Sequence, residues 1–221
     1  VSLSDALPAP AADWLARSGA TIRLSHRVQS LAAQRSSWLL DGETFDGVVL
    51  ATTPGEAARL AQTVAPDWSR SAQALRYEPI MTVYGRSEGT RLPEPMLALR
   101  ADAQCPAQFV FDRGQLGGPA GLLGFVVSGA QPWVDLGVQA MEQAVAHQAR
   151  SALGHHLHGP LTNMRTLTEK RATFRCTPGL QRPPMRIVAG LHAAGDYVQG
   201  PYPATLEGAV RSGLAAVRGF A

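Results

Sequence analysis

Cysteine is scarce in this sequence of 221 residues, which contains only Cys105 and Cys176. Their spacing matches no metal or redox motif, and so few cysteines do not imply a disulfide scaffold. A reducing, cytoplasmic location is therefore the simpler expectation. No apolar run approaches the roughly 20 residues of a membrane span, and no signal peptide is recognisable. The Gly-x-Ser-x-Gly turn of many hydrolases is also missing, so hydrolase chemistry has no support.

Charge is sparse as well, since 17% of the residues are charged and the formal net charge is +3. The arginines are scattered and no aromatic side chains interleave with them, so nucleic acid is not an expected partner. The mild positive charge is compatible with peripheral contact with an anionic membrane surface. A hydrophobic share of 45% is near the average of globular proteins and predicts a chain with a packed core.

The first third of the chain mixes helix and strand patterns. Trp14 and Leu15 lie on the apolar face of an amphipathic helix, and Asp41-Gly42 between short apolar runs is a hairpin signal. The run Val-Val-Leu-Ala that starts at Val48 lacks polar alternation, as buried parallel strands do. The expected elements are a helix over 4–18, a strand over 21–31, a hairpin around Asp41-Gly42, a buried strand over 46–53 and a helix over 55–63.

The middle of the chain changes to short apolar runs separated by Pro, Gly and charged turns, which predict an antiparallel sheet. The glycine cluster from Gly117 to Gly124 lies before the apolar run that starts at Phe125, which predicts a hairpin loop. The expected elements are strands over 77–84, 96–99, 108–111 and 122–127, a helix over 134–153 and an extended stretch over 164–174.

The most informative stretch runs from Ala193 to Gly213 and reads Ala-Ala-Gly-Asp-Tyr-Val-Gln-Gly-Pro-Tyr-Pro-Ala-Thr-Leu-Glu-Gly-Ala-Val-Arg-Ser-Gly. Ile187, Val188 and Leu191 predict a strand before it, and residues 204–217 have helical spacing. A strand that leads through glycines to a helix start makes an anion site, because free N–H groups and the helix dipole attract negative charge. An acid at the strand end can accept hydrogen bonds from ribose or ribityl hydroxyls.

This stretch resembles the C-terminal signature of flavin-containing amine oxidases and phytoene-desaturase-like enzymes, and most of all their squalene-associated branch, the hydroxysqualene dehydroxylases. Four other segments are similar to the same branch and occur in the same order. They are Asp46 to Pro54, Pro79 to Tyr84, Gln108 to Gly114 and Glu169 to Phe174.

The resemblance implies an α/β (α+β) fold, made of a remnant of a Rossmann-like FAD domain and a substrate domain with an antiparallel sheet and helices. The FAD-domain parts are expected at 1–73 and 185–221, and the substrate domain at 74–184, with its sheet as a wall over the flavin. The family's Gly-x-Gly-x-x-Gly segment has no counterpart here. The chain is therefore expected to be the C-terminal part of a larger enzyme, and to be inactive and free of FAD by itself.

The activity implied by the resemblance is that of an FAD-dependent oxidoreductase. Its substrate is expected to be a long apolar isoprenoid of the hydroxysqualene or squalene type, as in hopanoid biosynthesis. A carotenoid-type desaturase and a flavin amine oxidase are alternatives within the same class. A different class is a non-catalytic, cofactor-free module that associates with itself through exposed flavin-domain surface, as a homo-oligomer.

Several candidate residues have a structural interpretation beside the functional one. The resemblance assigns cofactor contacts to Asp196 and to its neighbours in the terminal motif. Glu207 suits the helix dipole whether or not it binds a ligand. A metal site at His155 to His158 is not expected, because this run follows a helix and has no carboxylate or cysteine beside it. The cofactor candidates are Val28, Gly195, Asp196, Pro203, Ala204 and Thr205, and the weak catalytic candidates are Asp112 and Arg113.

Overall fold

A computed structural model describes residues 3–220, which divide into two units. The first unit contains residues 3–22 and 78–172, and the second contains residues 23–77 and 173–220. These boundaries differ from the expected 1–73, 74–184 and 185–221. The chain enters the second unit again at Thr173, because the Phe174 side chain is buried in the core of that unit.

The second unit contains a three-stranded sheet of mixed strand direction. Strand β4 (Val48–Leu50) pairs in parallel with β11 (Leu191–Ala193), and β10 (Arg186–Val188) is antiparallel to β11. The buried parallel strand expected near Val48 is therefore confirmed. The single strand expected from Ile187 to Leu191 is wrong, because Gly190 (φ +75°) reverses the chain between β10 and β11.

A second sheet of the same unit joins β1 (Leu31–Ala33), β2 (Trp38–Leu40) and β3 (Glu43–Phe45) in an antiparallel arrangement. Asp41 and Gly42 connect β2 to β3 with φ angles of 47° and 92°. Two consecutive positive φ angles are the requirement of a type I′ turn, which the Asp-Gly pair satisfies. The predicted hairpin is confirmed.

The strand expected over 21–31 does not form, and of these residues only Leu31 belongs to a strand. Here the backbone makes its hydrogen bonds to side chains instead of to a neighbouring strand. The amides of Gln29 and Ser30 donate to the Asp41 carboxylate, and the carbonyls of Val28 and Gln29 accept from Arg59. The backbone is thereby satisfied without a neighbouring strand.

The helices of the second unit are α3 (Pro54–Ala61), α4 (Pro66–Gln73) and α7 (Leu206–Arg218). Proline begins both α3 and α4, where its missing N–H leaves no hydrogen bond unmade. The core of the unit collects apolar side chains from these helices and from the sheets, among them Leu50, Trp68 and Leu191. The helices expected over 55–63 and 204–217 are confirmed within a few residues.

The first unit contains a five-stranded sheet of β5 (Tyr77–Arg86), β6 (Met96–Ala98), β7 (Phe109–Asp112), β8 (Leu122–Ser128) and β9 (Thr162–Phe174). The strand order is β6-β7-β8-β5-β9. Neighbouring strands from β6 through β5 are antiparallel, as expected. Gly117 (φ +85°) lies in the hairpin loop between β7 and β8, which was the role predicted for this glycine cluster.

The helix expected over 134–153 consists of two, α5 (Gln131–Leu136) and α6 (Val138–Leu153), because Gly137 adopts a φ of 91° between them. The helix expected over 4–18 also consists of two, α1 (Leu3–Ala6) and α2 (Pro8–Arg17). The expected apolar face of α2 is not covered, since Trp14 is 61% exposed.

Helices and largely antiparallel sheets together make this an α+β fold, as expected. Among residues 3–220, no helix is long and apolar enough to cross a membrane.

Candidate functional site

The carboxyl ends of β4 and β11 meet at one edge of their sheet, because the two strands are parallel. The Ala194 amide donates to the Leu50 carbonyl (3.1 Å) and extends the pairing by one residue. Thr52 therefore follows β4, and Gly195 and Asp196 follow β11, at the same edge. Ligands of open α/β sheets bind at this edge.

Gly195 is required by its surroundings. A Cβ atom at this position would lie 2.5 Å from Cε1 of Tyr197, whose ring is fully buried. The Gly195 amide donates to the Ser212 hydroxyl (2.8 Å), which itself donates to the Ala209 carbonyl (2.7 Å). Gly195 thus supports the turn into Asp196, and its N–H is already used inside the protein.

Replacing Ser212 by alanine is expected to destabilise the chain by about 1–3 kcal/mol, because the Gly195 amide loses its acceptor in a buried site. Denaturant unfolding of the isolated chain measures the loss. Ser151 is a matched control, since its hydroxyl donates to the Gln148 carbonyl in the same i−3 pattern but lies exposed on α6. Ser151→Ala is expected to change the free energy of unfolding by less than about 0.5 kcal/mol. Equal losses in both variants would contradict this role of Ser212.

The loop before α7 has an uncommon backbone shape. Tyr202 and Ala204 both have positive φ angles, 59° and 55°. Thr205 caps the helix, because its hydroxyl accepts from the Gly208 amide (3.0 Å) and donates to the Tyr202 carbonyl (2.7 Å). The Ala204 amide donates to the Asp196 carbonyl (3.3 Å). Of the expected cofactor residues, Thr205 and Ala204 therefore shape the loop, and exposed Pro203 lies just before Ala204.

The first turn of α7 is open to a ligand. Helix geometry gives the amides at the first positions no backbone acceptor, so the N–H groups of Leu206 and Glu207 carry the positive end of the helix dipole. Leu206 is 74% exposed. Glu207 forms an ion pair with Arg211 (2.5 Å), one turn further along α7.

A cavity of about 790 Å³ lies against α7 and reaches Asp196. Asp196 is half-buried, and burial raises the pKa of its carboxyl group. Its own backbone amide and the Arg182 guanidinium act in the opposite direction. A carboxylate with a raised pKa in a cleft, next to a helix start, is a candidate functional group.

Val28 lines a second cavity, of about 690 Å³, together with Thr52, Glu56 and Arg59. Its carbonyl accepts a hydrogen bond from Arg59 (2.6 Å). Val28 and Asp196 therefore line different cavities of the second unit, so the structure does not place these two candidates together.

Asp112 is the last residue of strand β7 in the first unit, and Arg113 follows it. The Asp112 carboxylate is 1% exposed and accepts from the Leu92 amide (3.0 Å), the Gly114 amide (3.0 Å) and the Gln115 side chain (2.9 Å). Burial opposes ionisation of Asp112, but the hydrogen bonds from Gln115 and from the backbone outweigh it and lower its pKa. These bonds anchor the loop after β7, and Arg113 beside it is exposed. A catalytic role for the pair stays a prediction.

The histidine run after α6 makes local contacts. The rings of His155 and His156 lie 3.9 Å apart, and the His158 amide donates to Thr90 (2.9 Å). Within the described range 3–220, no group of three His, Cys, Asp or Glu side chains is arranged to hold a metal ion.

Two residues at this site are not among the residues predicted from the sequence. Ser212 holds the Gly195 amide, and Arg182 contacts the Val198 and Gly200 carbonyls. Only the position of Ser212 inside the Gly-Ala-Val-Arg-Ser-Gly run is a signal for it. Arg182 is one of many scattered arginines, and its contacts could not be read from spacing.

Comparison with known proteins shows which family the chain resembles. The sequence profile described as "Flavin containing amine oxidoreductase" matches residues 3–219. A hydroxysqualene dehydroxylase from Sinorhizobium fredii (strain NBRC 101917 / NGR234) is 27% identical over 220 residues, which are 96% of this chain and 49% of that protein. The chain thus spans about half the length of this curated relative.

Solved structures of low sequence identity share the fold. A cyclohexylamine oxidase from Brevibacterium oxydans IH-35A matches with a TM-score of 0.68 at 18% identity, over 95% of this chain and 50% of its own. An oxidoreductase from Methanosarcina mazei matches with a TM-score of 0.66 at 12% identity, over 94% and 52%. The match of the profile to nearly the whole described chain confirms the resemblance found in the motifs, and the chain belongs to the flavin containing amine oxidoreductase family.

Proposed function

We propose that this chain is the C-terminal part of a longer FAD-dependent oxidoreductase, and that its second unit holds part of the flavin nucleotide at the start of α7. The main observation behind this proposal is the position of Asp196. It is half-buried, follows the carboxyl ends of the parallel strands β4 and β11, and lines the cavity along α7. The family membership and the coverage of about half the curated relative support the proposal.

The chemistry of the site fits a flavin nucleotide. Asp196 supplies an acceptor for a hydroxyl group, and the first-turn amides of α7 supply positive charge for a phosphate. Gly195 leaves no side chain at the turn into Asp196, where a Cβ atom would meet the Tyr197 ring. Hydride transfer is the chemistry that the bound flavin supplies, while the residues of this chain bind and orient it.

The proposed substrate is a long apolar isoprenoid of the hydroxysqualene type. This proposal rests on the sequence similarity to the hydroxysqualene dehydroxylase and on one face of the five-stranded sheet. Val83 and Phe125 point into the core and are fully buried. The apolar side chains on the opposite face are partly accessible, as contact with an apolar substrate requires. They include Ile80, Tyr84, Phe109, Phe111 and Val126.

The proposed longer protein, with a glycine-rich dinucleotide segment ahead of this chain, is expected to be yellow as purified. The chain of 221 residues by itself is expected to be colourless, because it has no glycine-rich phosphate turn. Visible absorbance spectra of both proteins, followed by titration of apoprotein with FAD, provide the measurement. A longer protein that never takes up FAD would overturn the proposed function.

An amine substrate is the alternative that the family description favours. Once the longer protein holds FAD, anaerobic mixing with an amine and with hydroxysqualene separates the two possibilities. Bleaching of the oxidised flavin by an amine supports an amine oxidase. Oxidation of the pre-reduced flavin by hydroxysqualene supports the isoprenoid reaction.

A further inference from the structure

A short segment of the second unit, residues 182–185, lies along the loop that follows Asp196. We call it the Arg182 strap. The Arg182 guanidinium donates from Nη1 to the Val198 carbonyl (2.8 Å) and from Nη2 to the Gly200 carbonyl. One side chain therefore fixes two backbone carbonyls that lie two residues apart.

The backbone of the strap adds three further hydrogen bonds. The Gln199 amide donates to the Pro183 carbonyl (2.8 Å), and the Ala193 amide donates to the Met185 carbonyl (2.7 Å). The Trp68 indole donates to the Pro184 carbonyl (2.8 Å). Because Trp68 is buried in the core, the strap has a rigid support, and it can transmit that rigidity to the loop.

We propose that Arg182 is a positioning residue, which holds the loop from Val198 to Thr205 in the shape that presents Asp196 and the first turn of α7 to one ligand. The proposal deepens the proposed flavin site and rests on it. Arginine suits this task better than lysine, because its planar fork has several donors in fixed directions, whereas lysine offers one mobile point charge.

Charge gives Arg182 a second effect on the same site. The charged side chains that line the cavity together with Asp196 are Glu207, Arg211 and Arg218 from α7, and Arg182 acts on Asp196 from the strap. Arg211 is paired with Glu207 and lies over the Tyr202 ring (5.2 Å to its centre). Arg182 is the cation that acts on the Asp196 carboxyl group, where it counteracts the rise in pKa caused by burial.

The test separates the shape of the loop from the charge, and it uses the flavin-free chain. Arg182→Met removes both the fork and the charge, whereas Arg182→Lys keeps the charge alone. The first readout is amide hydrogen exchange at Gln199, whose N–H contacts the strap directly. The second is the pKa of Asp196, followed by NMR of its labelled carboxyl carbon.

Exchange at Gln199 is expected to become at least about tenfold faster in both variants, because the fork is lost in both. The pKa of Asp196 is expected to rise in Arg182→Met and to remain near the parent value in Arg182→Lys. Arg186→Met is the matched control, since Arg186 is exposed on the neighbouring strand β10 and is expected to change neither readout.

Unchanged exchange at Gln199, or an unchanged Asp196 pKa in Arg182→Met, would overturn the proposal. If Arg182→Met does not fold, Arg182→Lys decides: faster exchange with a parent-like pKa supports positioning, and unchanged exchange refutes it. A purely structural arginine would lower stability without moving the Asp196 pKa. Neither readout needs flavin, so failure of the proposed function in the longer protein is recognised separately, by the absence of FAD binding.

Discussion

Asp196→Ala in the proposed longer protein is expected to weaken FAD binding by roughly 5- to 150-fold. The estimate follows from leaving a buried hydroxyl of the cofactor without its acceptor, at a cost of about 1–3 kcal/mol. Titration of apoprotein with FAD, followed by flavin fluorescence, measures the change. Activity is expected to fall with the loss of bound cofactor.

Two controls accompany this variant. Asp13→Ala removes an exposed carboxylate from α2, and His156→Ala removes a partly exposed histidine after α6; neither is expected to alter FAD affinity. Parent-like affinity in Asp196→Ala would show that the carboxylate does not contact the cofactor.

The pH dependence of FAD binding tests the same carboxylate. Because burial raises the pKa of Asp196, protonation removes its negative charge at a higher pH than for an exposed aspartate. As the pH falls through this raised pKa, the parent is expected to lose affinity, since the protonated group is a weaker acceptor. Asp196→Asn cannot titrate, so its affinity is expected to lack this step.

Replacing Gly208 by alanine or a larger residue is expected to destabilise the chain and to impair FAD binding in the longer protein. A Cβ atom at Gly208 would lie far inside contact distance of the Tyr202 backbone carbonyl, so α7 or the loop before it must shift. Forced packing of this kind costs about 1–3 kcal/mol for a small addition. Thermal unfolding of the isolated chain measures this cost.

Gly213 is a matched control on the same helix. A Cβ atom at Gly213 meets nothing within 4 Å, so Gly213→Ala gains helix propensity without a clash. It is expected to stabilise the chain by about 0.5–1 kcal/mol, the opposite sign to Gly208→Ala. If Gly208→Ala and Gly213→Ala both stabilise the chain, the loop before α7 can shift at little cost and Gly208 is not needed for close packing.

Elements whose cause is local could be predicted from the sequence. The type I′ hairpin follows from Asp41-Gly42 alone, because few other residue pairs accept two positive φ angles. The buried strand at Val48 and the terminal helix follow from their apolar patterns. The turn at Asp196 could be placed because a strand, glycines and a helix start occur there in order.

Elements that depend on distant partners were predicted less well. Residues 21–31 alternate like a strand, yet Asp41 and Arg59 satisfy the backbone there, and no pattern along the segment reveals that. Gly137 breaks a helix and Gly190 reverses the chain between two strands, each through a positive φ, and the apolar pattern around them does not reveal this. Arg182 and Ser212 bond to backbone groups, which every residue has. The sequence therefore does not show which residues are their partners.

The parallel pairing of β4 with β11 also affects the order in which parts of the chain fold. Leu191 pairs with Val48 across most of the polypeptide, whereas β5 through β8 lie within one continuous stretch. Such non-local pairing forms slowly, because a large loop must close, with a loss of chain entropy, before the two strands can make stabilising contacts. On the ribosome, the apolar β4 and α3 are made long before β11 and remain without this partner until Leu191–Ala193 has been synthesised. The sheet edge that carries Asp196 is therefore among the last parts of this chain to assemble, and a translation product that stops before β11 lacks it.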